Sequence, residues 1–205
     1  MPEFKTHNLW PIPVYESKMP VKEKWIKYLK NIDYARTHIG NSDISVDRYV
    51  LEKMPDLKQE VENHLENYIR RYLTISKNVS FPMLNSWVNI HLPNDEAQEH
   101  YHGNSLISGV YYLITPKDCG GIVFHKSSTN VNLFHTSIRM EYDETNNLQT
   151  ERYVVPVSEG VIVFFPSHLS HSVQKNLSNE PRVSVAFNFW IKGSLGKEEY
   201  KLDFK

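Results

Sequence analysis

Beyond about residue 80 the chain gives up helical periodicity for a run of short β-favouring segments, and no other feature restricts its fold as strongly. Residues 85–91, 105–114, 121–125, 131–142, 152–157, 161–165 and 182–191 are rich in Val, Ile, Tyr and Phe, the residue types that suit a pleated, half-buried surface. Turn signals separate them: Pro93-Asn94-Asp95, Pro116-Lys117-Asp118, Thr145-Asn146-Asn147, Ser158-Glu159-Gly160 and Ser178-Asn179-Glu180-Pro181. Short strands at such intervals predict a sandwich, barrel or jelly roll. The first 80 residues read differently. Pro11, Pro13 and Pro20 keep residues 1–20 extended. Val21, Trp25, Tyr28, Leu29 and Ile32 then follow helical spacing. A second helix starts at Pro55, with Asp56 and Glu60 near its positive end, Arg70 and Arg71 near its negative end, and a stripe of Leu57, Val61, Leu65, Tyr68 and Tyr72. Helices followed by strands make the chain α+β, with the helices covering one sheet.

At 205 residues the chain is long enough for one well-buried core and short for two. A single domain over 1–205 is expected, comprising a helical support region (1–80), a β core (81–192) and a C-terminal tail (193–205). Lys and Arg number 23 against 24 Asp and Glu, a net charge of -1, which argues against a nucleic-acid partner bound through counterion release. The lone cysteine, Cys119, excludes an internal disulfide and suits a reducing compartment. Residues 1–20 have no apolar stretch of signal-peptide length, and no apolar run reaches the roughly 18 residues of a membrane span. A cytoplasmic protein is the expectation.

Chemistry enters with the histidines, ten in all. His100 and His102 are two residues apart, so in extended chain both imidazoles point to one side. A third candidate, His171, follows Phe165-Pro166-Ser167 far along the sequence. Two close ligands and one distant ligand describe three-point attachment to one face of an ion, which leaves the other face open, as iron oxygenase chemistry requires. An isolated His-x-His pair is more often incidental. His7, His38, His64, His125 and His135 have no evident partners, and His64 beside the helix stripe reads as structural. His91 and His168 are harder to set aside because each is near a candidate ligand.

Eleven residues after His171, Arg182 opens a strand on which Arg182, Ser184, Ala186 and Asn188 share one face and Val183, Val185, Phe187 and Phe189 the other. A guanidinium among core residues is costly unless an anion meets it, and its planar fork matches a carboxylate. Ser184 could donate to the same group; the alternative is a strand-end arginine reaching to solvent. Parity counted from His100 puts Leu106, Ser108, Val110 and Tyr112 on the ligand side and Tyr111 outward. Asn89 also faces inward on the preceding strand.

These elements resemble the 2-oxoglutarate/Fe(II) oxygenase superfamily. His100-Tyr101-His102, Ser108-Gly109-Val110-Tyr111-Tyr112-Leu113, Phe164-Phe165-Pro166-Ser167 with His171, and Arg182 through Asn188 occur in the family's order over about residues 85–190. Within it they are most similar to a bacterial and phage branch. The resemblance implies a double-stranded β-helix (a cupin-like jelly roll) with N-terminal helices packed on one sheet. It also implies Fe(II) on His100, His102 and His171, and 2-oxoglutarate as cosubstrate held by Arg182, Ser184 and Tyr112; Asn89, from its inward strand position, is a further candidate to hydrogen-bond it. The implied reaction is a dioxygenation, most simply hydroxylation of a small molecule or peptide, with release of succinate and carbon dioxide. His102 departs from the pattern, since most of the family has Asp or Glu there; Asn104 is a poorer substitute ligand. Two other readings stay open: a three-histidine cupin-like dioxygenase or isomerase that uses no 2-oxoglutarate, and a metal-free jelly-roll binding protein. The polar segments 94–99, 126–130 and 143–150 are expected to shape the mouth of the site.

Overall fold

The computed structural model describes residues 5, 7, 11–37, 41–126, 141, 143–144 and 150–205. Its centre is a seven-stranded antiparallel sheet ordered β1 (Tyr15–Lys18), β10 (Val161–Pro166), β7 (Ile107–Ile114), β12 (Arg182–Phe189), β5 (Met83–His91), β3 (Ser42–Ser45) and β2 (Tyr34–Thr37). Facing it is a four-stranded antiparallel sheet, β6 (Ala97–His100), β11 (His171–Val173), β8 (Ile122–His125) and β9 (Arg152–Val155). A small third sheet joins β14 (Leu202–Phe204), β13 (Lys192–Leu195) and β4 (Val79–Ser80). This two-sheet jelly roll with helices on one side is the α+β double-stranded β-helix expected.

Helices α1 (Glu23–Leu29) and α2 (Pro55–Asn67) cover the outer face of the large sheet. Their stripes behave as the spacing predicts: Trp25, Leu29, Leu57, Val61, Leu65 and Tyr68 are buried against Val185, Phe187 and Phe189. Tyr72 is the exception, at 70 % exposure. The last turn of α2 widens into a π-helical turn over Tyr68–Tyr72, and the wider pitch carries Tyr72 off the buried stripe. A second core of Val110, Tyr112, Phe124, Val163, Phe165 and Leu169 fills part of the space between the two main sheets.

The first 80 residues are less purely helical than expected, because β1, β2 and β3 all join the large sheet. Their composition hid them. Tyr15–Lys18 and Tyr34–Thr37 are four-residue edge strands with exposed charged residues, Glu16 and Lys18 in the first and Arg36 in the second, which is how proteins guard sheet edges and which leaves little apolar signal. The C-terminal tail is likewise partly a hairpin, β13 pairing with β14. The strand expected over 131–142 falls outside the described residues apart from Glu141, and so do 127–130 and most of 143–150. Residues 97–99, expected as loop, begin β6.

Gly109 leaves no room for a side chain between β10 and β12. A Cβ there would run into Phe187 Cε2 and lie 2.7 Å from the Val163 carbonyl oxygen. The Phe164 and Phe187 rings, with centroids 5.4 Å apart, occupy that space. Overfilling a packed core costs about 1–3 kcal/mol. Gly109→Ala is therefore expected to lower the unfolding free energy by at least this amount in urea denaturation, without changing the identity of any site residue.

Candidate active site

The inner face of the large sheet carries a ladder of side chains dictated by strand register. Across β7, β12 and β5, Tyr112 lies beside Ser184 and Ser184 beside Asn89. Further along come Val110, Ala186 and Trp87, and then Ser108, Asn188 and Asn85. At the opposite end of the ladder Arg182 pairs with His91. Period-two alternation sends all of these inward, and together with the small sheet they bound a cavity of about 550 Å³.

The small sheet supplies the histidines. His171 on β11 is the direct cross-strand partner of His100 on β6, so two imidazoles separated by most of the sequence become neighbours. His102 follows past the end of β6, its backbone N–H donating to the Ser167 carbonyl at 3.0 Å. One ligand atom from each of the three rings lies within 4.8 Å of the others. Ring centroids are 4.3 Å apart for His100 and His171, 5.1 Å for His102 and His171, and 5.5 Å for His100 and His102.

Hydrogen bonds select the tautomer of each ring. His100 Nδ1 donates to the Gln98 carbonyl at 2.7 Å and His171 Nδ1 to the Leu169 carbonyl at 3.0 Å. His102 Nδ1 lies 2.7 Å from Asn188 Oδ1, an acceptor. A carbonyl oxygen cannot donate, so Nδ1 carries a proton in each case, and in the neutral ring the lone pair is on Nε2. Ser108 steadies His102, with its Oγ 2.9 Å from Nδ1 and donating to Asn188 Oδ1 at 2.8 Å; Asn188 Nδ2 donates to Asn85. Burial depresses the pKa of His102, and burial together with the facing His100 pushes His171 down to about 3. Lone pairs on neutral imidazoles, oriented by outer hydrogen bonds, are what a divalent transition metal needs.

The other end of the cavity is built for an anion. Arg182 is 1 % exposed. Its Nη1 donates to the Cys119 carbonyl, while Nε and Nη2 are buried without a partner among the described residues. Across the strand pair His91, 4 % exposed, also has both ring nitrogens buried and unpartnered among the described residues. A buried guanidinium with two idle donors costs several kcal/mol unless an anion meets them. Tyr112, held protonated by burial with its pKa pushed up to about 12, lines the same space as Ser184 and Asn89.

A family model described as "Putative 2OG-Fe(II) oxygenase" matches residues 85–188, just over half of the chain. The chain belongs to the 2OG-Fe(II) oxygenase family. This oxygenase uses iron(II) and 2-oxoglutarate, and its histidine cluster fits iron. No curated protein sequence matches it. Among solved structures, the oxygenase resembles an oxidoreductase of the 2OG-Fe(II) oxygenase family from Burkholderia pseudomallei (13 % identity, 81 % of this chain and 76 % of that one, TM-score 0.57). It also resembles the α-ketoglutarate-dependent epimerase SnoN from nogalamycin biosynthesis (12 %, 89 % and 81 %, TM-score 0.61). A third likeness is to HygX from Streptomyces hygroscopicus, solved with nickel, 2-oxoglutarate and hygromycin B bound (10 %, 87 % and 82 %, TM-score 0.59). At such identities these structures speak for the fold of the oxygenase. Among its described residues no helix is long and apolar enough to cross a membrane.

All seven residues singled out from the sequence line this one cavity: His100, His102, His171, Arg182, Ser184, Tyr112 and Asn89. Several details differ from expectation. Leu106 does not line the cavity and is 39 % exposed, because a turn with Asn104 at φ 53° interrupts the extended chain between His102 and β7. Asn104 is exposed in that turn and is not among the residues that line the cavity. Tyr111 does face away from the cavity, but into the helix-side core, its hydroxyl donating to the Pro20 carbonyl at 3.1 Å. His64 is structural, bonded to the Tyr15 hydroxyl at 2.8 Å, and His168 is exposed. His125 has partners after all, with Nε2 2.7 Å from Ser172 Oγ and Nδ1 3.6 Å from Glu99. The residue underrated from sequence is His91; its spacing of two from Asn89 was the available signal.

His91 also makes a test of the pocket. Burial, followed by the charge of Arg182, depresses its pKa to about 3; Asp95 opposes and Arg36 adds to this. An unfolded chain protonates this histidine below about pH 6.5, whereas the folded one does not until near pH 3. The unfolded state then binds more protons, so the stability of the metal- and ligand-free protein falls as pH drops, by up to about 1.4 kcal/mol per pH unit from this group. Asp95, whose pKa is lowered, contributes only below about pH 4. Urea denaturation between pH 6.5 and 4.5 is expected to have a shallower pH slope in His91→Phe than in the wild type.

Proposed function

We infer that this chain hydroxylates a small organic substrate, with iron(II) on His100, His102 and His171 and 2-oxoglutarate anchored by Arg182. The observation that carries the reading is one cavity holding both a cluster of pre-oriented imidazoles and a buried guanidinium with donors that no described residue meets. Bound there, iron(II) supplies activation of dioxygen coupled to oxidative decarboxylation of 2-oxoglutarate to succinate and carbon dioxide. The protein's own work is binding and orientation. Arg182 presents its fork to the distal carboxylate, and Ser184 and the protonated Tyr112 donate beside it. Asn89 closes the same row, and His91 adds a donor that the sequence pattern alone did not assign. Asn188 and Ser108 hold His102 in its tautomer. Phe165, Val110 and Ala186 keep the space between the two ends apolar, which limits water and side reactions.

Residues 1–205 are taken as one catalytic domain in which the helices buttress the large sheet, and the lone Cys119 suits a cytoplasmic site of action. The idle donors of Arg182 favour a cosubstrate-using enzyme over a three-histidine enzyme that needs none.

The test is single-turnover succinate formation from 2-oxoglutarate, set beside 2-oxobutyrate, which lacks the distal carboxylate. Succinate is expected only with iron(II) and dioxygen present. His91→Phe is expected to weaken 2-oxoglutarate binding by about 10- to 100-fold, the scale of one hydrogen bond to a charged group, and to leave 2-oxobutyrate unaffected. A purely structural histidine would weaken both alike. Iron-independent succinate release would contradict the function itself.

A further inference from the structure

The cavity has a second arginine. Arg48 lines it but is far from Arg182 in the ladder. The Arg48 carbonyl accepts the Ser86 N–H at 2.8 Å, and Tyr49 forms a bridge with Ser86. This fixes Arg48 beside the Asn85–Trp87 stretch of β5, whereas Arg182 pairs with His91 at the other end of that strand. Asn85 and Trp87 are the residues of β5 nearest the histidines. Asn85 accepts from Asn188, which holds His102, and the Trp87 ring lies 5.7 Å from the His102 ring. Two strand spacings, about 10 Å, separate Arg48 from β12; the residue is exposed and lines the cavity from this side of β5.

Charge completes the argument. Unlike Arg36, which is paired with Asp95 and Asp43, Arg48 has no ion pair among the described residues. No carboxylate lines the cavity among those residues either. With imidazole at His102 where the family usually has a carboxylate, the site is one negative charge short. Iron(II) and Arg182 together carry three positive charges against the two negative charges of 2-oxoglutarate, and Arg48 adds another. A cleft of uniform sign with low-dielectric walls concentrates ligands of opposite sign.

We propose that the prime substrate is a small organic anion, a carboxylate or a phosphate, whose charged group is received by Arg48 beside Trp87. The planar fork of Arg48 suits either oxyanion, and Trp87 offers an aromatic face to the body of the molecule. This rests on the oxygenase reading of the same cavity.

The experiment uses protein loaded with zinc(II), which is redox-inert, and saturated with 2-oxoglutarate, so that Arg182 is already occupied. Phenylacetate, phenyl phosphate and benzylamine are compared by saturation-transfer NMR, with 2-oxoglutarate affinity measured in parallel. At least one of the two anions is expected to bind, and which one binds tells carboxylate from phosphate. Benzylamine is expected not to bind. Arg48→Met is expected to weaken the bound anion by about tenfold or more, the scale of a charge-assisted hydrogen bond, and Arg48→Lys to weaken it less. Affinity for 2-oxoglutarate is expected to change less than affinity for the bound anion in both variants, because Arg48 stands beside the opposite end of β5 from Arg182. The proposal is overturned if neither anion binds, if benzylamine binds as well as they do, or if Arg48→Met binds them unchanged. Failure of the wild type to bind 2-oxoglutarate would instead overturn the oxygenase assignment of the site.

Discussion

Replacing His171 with alanine is expected to abolish stoichiometric iron binding while leaving the fold in place. His171 is the cross-strand partner of His100, and its ring is the one packed closest to both other imidazoles. Loss of an outer hydrogen-bonding partner of a metal ligand already lowers affinity by about 10- to 100-fold; removal of a ligand atom goes beyond that, because a two-histidine remnant cannot cap one face of the ion. Anaerobic titration with iron(II), followed by metal analysis after gel filtration, checks the binding, and far-UV circular dichroism checks the fold. Ser108→Ala is the milder counterpart. It removes one support from His102 Nδ1, yet Asn188 Oδ1 still accepts from that ring, so its effect should stay within the outer-partner range.

The second large effect concerns Arg182. Arg182→Met is expected to weaken 2-oxoglutarate binding by about 10²- to 10³-fold, the scale for truncating one partner of a buried charged pair. Iron(II) affinity should be unchanged. The same variant should not destabilise the ligand-free protein, and a modest gain is expected. Wild-type Arg182 is buried with Nε and Nη2 unpartnered, and replacing an uncompensated buried charge with an apolar side chain of similar length is neutral to stabilising. Loss of the donor to the Cys119 carbonyl limits that gain. Arg182→Lys should not rescue binding, because an ammonium lacks the fork geometry. Isothermal titration with 2-oxoglutarate and urea denaturation of the ligand-free protein read the two halves. Weakened binding without loss of stability is the signature of a residue kept for function at some expense to the fold.

What the sequence made legible is what depends on spacing. Strand parity assigned Arg182, Ser184, Ala186 and Asn188 to the cavity and Val183, Val185, Phe187 and Phe189 to the helix-side core, and both faces are as assigned. Helical spacing located the buried face of α1 and of α2 up to Tyr68. Information residing in register was not legible. Nothing local to His91 says that it stands opposite Arg182, and nothing local to His125 says that Ser172 and Glu99 flank it; those neighbours come from pairings β12–β5, β8–β11 and β11–β6 that the chain settles only on folding. Parity also fails across an irregularity, as at Leu106 beyond the Asn104 turn and at Tyr72 in the π turn. Edge strands such as β1 and β2 escaped notice because their apolar content is low, the same property that keeps a sheet edge from pairing with other chains.

One measurement bears most directly on the claim that three histidines and one arginine serve a single reaction centre: anaerobic titration of the iron(II)-loaded protein with 2-oxoglutarate, followed by visible absorption. The oxygenase account predicts one iron per chain and a charge-transfer band that saturates at one 2-oxoglutarate. The band should be absent in His171→Ala and should form in Arg182→Met only at far higher 2-oxoglutarate. A protein that took up its iron but developed no band at any 2-oxoglutarate concentration would contradict the account.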